Sequence, residues 1–108
     1  MDWLDILFKA PSLFEATDAL LGEVWSSAGE SEDMAVMAMD VERILEERCG
    51  RDQRRVAFLR WRCGCRFADV AMMLGMSEGA VRDARDEVVR QVIRELRRQR
   101  RAAATRHS

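Results

Sequence analysis

The sequence has little of what interrupts helices and little of what does chemistry. In 108 residues it has one proline, Pro11, one histidine, His107, no tyrosine and no apolar run longer than a few residues. The short runs exclude a membrane-spanning helix, and Met1-Asp2-Trp3 lacks the basic and long apolar regions of a secretory signal, so a cytoplasmic protein is expected. A single histidine, no nucleophile paired with a base and no glycine-rich phosphate loop leave catalysis without support, and an enzyme is not expected. The three cysteines, Cys49, Cys63 and Cys65, are an odd number, which argues against a disulfide framework. Cys63-Gly64-Cys65 lacks the two-residue spacer of a zinc knuckle and His107 lies in the tail, so no metal or cofactor is expected and the thiols read as buried or incidental.

What is present is an even mixture: 48% apolar residues and 34% charged ones. Charges break the apolar stretches every few positions, the mark of a helical globular chain. At this length the expectation is one core, or a small domain with an N-terminal helical appendage. The net charge of −1 hides a segregation. Residues 1–50 hold 12 acidic and 3 basic side chains, and residues 51–108 hold 7 acidic and 15 basic. A basic half of that kind is suited to a polyanion, and its positive charge is all arginine, the side chain that grips guanine edges and phosphates in bidentate fashion.

Read from the start, Trp3, Leu4, Leu7 and Phe8 share one helical face, and Pro11 ends that short helix. Ser12 and Glu15 form a capping box for a second helix, whose stripe is Phe14, Leu20, Leu21, Val24 and Trp25. A polar link from Ser26 to Ser31 follows. Ser31, with Glu32 and Asp33 behind it, starts a third helix with Met34, Met37, Val41, Ile44 and Leu45 at spacings of three and four, closed by Arg48 and Gly50. The methionine stripe Met34, Met37 and Met39 reads as core.

From Asp52 a polar start leads into Val56, Phe58, Leu59 and Trp61, until Gly64 breaks the pattern. Phe67, Val70, Ala71 and Leu74 mark a short helix that ends in Leu74-Gly75-Met76-Ser77. Here Gly75 supplies a left-handed turn, Met76 plugs the angle between helices and Ser77 caps the next one. That last helix has a buried seam of Val81, Ala84, Val88, Val92 and Leu96.

In Arg55-Val56, Leu59-Arg60, Gly64, Asp69-Val70-Ala71, Leu74-Gly75-Met76-Ser77 and Gly79-Ala80-Val81-Arg82, the stretch from Arg54 to Leu96 resembles the helix-turn-helix of sigma-factor region 4 and of LuxR-type regulators. In size and layout the chain is also similar to small phage proteins such as the Q-type antitermination factors. The resemblance implies an all-α fold with a C-terminal helix-turn-helix over residues 51–101, acidic N-terminal helices over residues 1–50 that brace, dimerise or contact a partner, and a flexible basic tail over residues 102–108. It implies a transcription regulator that binds double-stranded DNA, with the first turns of the recognition helix against base edges. The alternative is a factor that uses the same fold to bind RNA polymerase, as an antiterminator or inhibitor; a homodimer fits either.

The site residues it implies are Arg82 and Arg85 on bases or phosphates, Glu78 as an acceptor from cytosine, Gly79 for close approach and Ser77 as the cap. Arg66, Arg51, Arg54 and Arg55 are placed for phosphates. Three departures stand out. Arg66 takes the usual place of a Ser or Thr cap, Asp83, Asp86 and Glu87 put acid on the reading face, and Arg85 replaces an apolar residue of the sigma-factor version. The arginines from Arg94 to Arg101 are expected to add nucleic-acid contact.

Overall fold

Several helix boundaries follow from the chemistry of the residue that stands at them. The computed structural model describes residues 13–26 and 29–106, and within them the chain is all-α. The elements are α1 (Leu13–Ser26), α2 (Glu32–Arg48), α3 (Arg51–Ala57, prolonged by a π-helical turn, Phe58–Arg62), α4 (Phe67–Leu74) and α5 (Glu78–Arg106). Ser31 caps α2 as expected, its hydroxyl accepting from the Met34 N–H at 3.1 Å. The expected helix over residues 2–9, its stop at Pro11, the Ser12 cap and His107 lie outside the described residues.

Gly50 departs from its expected part. It has an ordinary φ of −76° and does not close α2; it stands before α3, where the Gln53 Oε1 accepts its N–H at 2.8 Å. The helix therefore starts at Arg51, one residue before the expected polar start. At its other end the hydrogen bonds lengthen in register, with the Cys63 N–H donating five residues back to the Phe58 carbonyl at 3.0 Å. Gly64, at φ 71°, then releases the chain.

Gly75 is left-handed as the turn requires, at φ 64°, and the N–H groups of Gly75 and Met76 both reach the Ala71 carbonyl. A Cβ at Gly75 would meet no atom within 4 Å, so a substitution there is opposed by the backbone alone. Gly75→Ala is expected to lower stability by about 1–2 kcal/mol in urea melts, with Gly75→Asn losing less.

Two cores result. The larger joins Leu21 and Trp25 of α1, Val41, Ile44 and Leu45 of α2, Ala57 and Trp61 of α3, and Val88, Val89, Val92 and Leu96 of α5. The smaller lies between α3, α4 and the start of α5: Val56, Val70, Ala71 and Val81, ringed by Leu59, Phe67, Leu74, Met76 and Ala84. The charge boundary at Gly50 is thus not a packing boundary, since the larger core draws on both sides of it. Val89, absent from the expected seam, is fully buried.

Two expected core residues face solvent instead. Phe58 is 49% exposed and Met39 67% exposed, while Met34 and Met37 are half-buried. Met39 and Phe58 fall to the side of the stripes that meet the core at Ala38 and Val41 and at Ala57 and Trp61. The tail also differs, because α5 continues past Arg101 to Arg106 as one helix of 29 residues. Near its middle Glu95 is buried, bonded to Arg98 and 3.9 Å from Arg48 at the end of α2. The Arg98 hydrogen bonds hold its carboxyl below the usual range, so Glu95 stays charged where it faces Arg48 of α2. Among the described residues no helix is long and apolar enough to cross a membrane.

Candidate nucleic-acid interface

The expected reading tip is the start of α5. Ser77 caps it with its hydroxyl, which accepts from the Ala80 N–H at 3.1 Å, and its carbonyl takes the Val81 N–H at 3.0 Å. Behind the cap Glu78 and Gly79 are exposed, and nothing lies closer than 4.0 Å to where a Gly79 Cβ would stand. At Gly79 the start is open and free of side-chain bulk.

Beside it stands the start of α4. Arg66 occupies the cap position in extended backbone (φ −73°, ψ 157°) and makes no side-chain cap hydrogen bond. The first N–H groups of α4 are therefore not covered by a capping side chain, which leaves the positive end of the helix dipole available to an anion.

Phe67, the first residue of α4, draws the two starts together. Three guanidinium groups gather on its ring: Arg60 at 4.5 Å from the centroid, Arg82 at 4.7 Å and Arg85 at 5.0 Å. Each is held differently. Arg60 donates to the Cys65 carbonyl at 3.0 Å. Arg82 stays 54% exposed, with only a loose ion pair to Glu78 at 3.6 Å. Stacking fixes both side chains without neutralising them.

Arg85 is committed inward. Its side chain is 17% exposed, donates to Asp86 at 2.5 Å and to Asp18 of α1 at 3.3 Å, and lies 5.8 Å from the Phe14 ring. Asp18 also accepts the Trp61 indole N–H at 3.0 Å, so one carboxylate ties α1 to both α3 and α5. Of the two arginines expected to touch DNA, Arg82 remains presented and Arg85 serves helix packing.

The acids on the face expected to meet DNA are partly answered as well. Asp86 is neutralised by Arg85, and Glu87 accepts from Gln91 at 2.9 Å and from Arg90 at 3.0 Å. Those hydrogen bonds, Gln91 first, keep the Glu87 carboxyl below its ordinary range. Asp83 is exposed.

Arg51, Arg54 and Arg55 do not join this cluster. They line a separate groove with Phe58, Leu59 and Leu74. Sequence reasoning missed Arg60 and Phe67 as partners of Arg82, because nothing in local spacing brings positions 60, 67 and 82 to one ring. Cys49 is buried, and its pKa is pushed up to about 11 by that burial, with Glu87 adding to the effect. Among the described residues no three His, Cys, Asp or Glu side chains are placed to hold a metal.

Comparison with known proteins returns nothing: no protein-family model, curated protein or solved structure matches this chain.

Proposed function

We propose that the chain is a DNA-binding transcription regulator that reads the major groove with the first turns of α5. The observation that carries this is the junction at Phe67, where an uncapped helix start, two arginines stacked on the ring, one of them with only a loose Glu78 partner, and the open, Ser77-capped tip of α5 adjoin one another. Helix-turn-helix proteins need that combination: one helix start on a phosphate, and a second entering the groove with little bulk at its tip. Arg60 and Arg66 serve the backbone, Arg82 reaches a base edge or phosphate, and Glu78 and Gly79 meet the groove floor.

The test is a titration of the full chain against a pool of short duplexes at two salt concentrations. Tight, selective binding that falls steeply with salt is expected, by about 0.9 in log–log slope for each phosphate engaged. Weak binding without preference among sequences ends this reading. A second reading, a factor that binds RNA polymerase through the same fold, is favoured by one observation, the arginine-rimmed groove on α3.

A further inference from the structure

We infer that the outer face of α3 is a docking groove for an acidic amphipathic helix of a partner protein, distinct from the DNA-reading tip. The inference names the chemistry of the partner, whatever its identity, and does not depend on the tip binding DNA. The groove has a volume of about 450 Å³ and is lined by Arg51, Arg54, Arg55, Phe58, Leu59 and Leu74. Positions 51, 54, 55 and 58 recur at helical spacing, so three arginines and one phenylalanine share a face of α3 while Val56, Ala57 and Trp61 fill the cores behind it.

The floor decides the class of partner. Phe58 is 49% exposed, and its ring rests edge-on against Trp25, at 6.1 Å between centroids and 79° between planes. The anchor is therefore positioned before any partner arrives, which lowers the ordering cost of binding. Leu59 and Leu74 extend the apolar floor. A phosphate backbone would satisfy the arginines and gain nothing from three apolar side chains, whereas a helix with large apolar residues at i, i+3 and i+7 fills such a floor. The rim then fixes the sign of its flanks: among the described residues none of the three guanidiniums is in a salt bridge, so glutamate or aspartate beside the anchors completes the charge.

The experiment is a titration of the isotopically labelled full chain, followed by NMR and calorimetry. One probe is a short helical peptide with leucines at i, i+3 and i+7 and glutamates between them, the second is the same peptide with lysines for glutamates, and the third is a short duplex. The glutamate peptide is expected to shift the resonances of Phe58, Leu59 and Leu74 and to bind at least about ten-fold tighter than the lysine peptide. Phe58→Ala is expected to weaken it by about ten-fold or more. Arg54→Glu/Arg55→Glu, a change confined to exposed side chains, should reverse the preference between the two peptides, so the idea stays testable should Phe58→Ala fold poorly. Equal binding of both peptides, or groove resonances moved by the duplex and not by the glutamate peptide, overturns the proposal. Duplex affinity unchanged in Phe58→Ala, which alters no charge, separates this result from the fate of the tip, which is tested through Arg82.

Discussion

Trp61→Ala is expected to remove a large share of the stability of the fold. The indole is buried at the π-helical end of α3, inside the larger core, and Gly22 of α1 approaches so closely that a Cβ there would stand 3.4 Å from the ring. Its N–H also answers Asp18. Deleting such a ring leaves a cavity between α1, α3 and α5 and costs about 3–5 kcal/mol, against a total of about 5–15 kcal/mol for an ordinary domain. In thermal melts the midpoint should fall by roughly 20 °C or the cooperative transition should vanish. Trp61→Phe keeps most of the packing and loses the hydrogen bond, for a drop of about 1–2 kcal/mol. A loss for Trp61→Ala below about 1 kcal/mol would contradict the packing described.

Arg60→Ala/Arg82→Ala is expected to have the largest effect on duplex binding. Both guanidiniums are stacked on Phe67, next to the open start of α4, so the pair forms a fixed positive wall at the point where the two helix starts meet. Their removal should lower affinity by about 100-fold at low salt and reduce the salt slope by about 2, with little change in melting temperature. Arg85→Ala should do the reverse. With its guanidinium engaged by Asp18 and Asp86, its loss leaves two carboxylates without their cation, so it lowers the melting midpoint and affects the duplex only through that. Fluorescence anisotropy and melts run on the same samples separate the two. Arg85→Ala abolishing binding at unchanged stability, with the Arg60/Arg82 variant still binding, would mean that the reading face has been misplaced.

The features legible in the sequence are those set by neighbours in the chain. Ser31, Ser77 and Gly75 each act on backbone groups within a few residues, and the seam from Val81 to Leu96 follows from helical period alone. Phe58 was not legible, because the apolar positions 56, 58, 59 and 61 are read with one helical repeat while the helix changes to a wider one at Phe58. That change carries Trp61 into the core and leaves Phe58 outside. Arg85 shows a second limit. It is spaced from Val81, Val88 and Val92 as a seam residue would be, and only its charge argues that it points outward. The carboxylate that lets it turn inward belongs to Asp18, in a helix distant in sequence and of opposite charge. Arg60 is the third case: its place on Phe67 comes from the tertiary turn around Gly64 and Cys65, for which periodicity carries no signal.

One unbroken helix, α5, is the spine of the molecule and carries the proposed reading tip at its start. Val81 fixes it in the smaller core, and Val88, Val89, Val92 and Leu96 fix it in the larger. No hinge separates the tip from the body, so the head has no chassis of its own. A fragment cut at the charge boundary would carry the tip away with an apolar flank bared along α5, and grafting the tip onto another protein would require that protein to supply what α1 and α2 supply here.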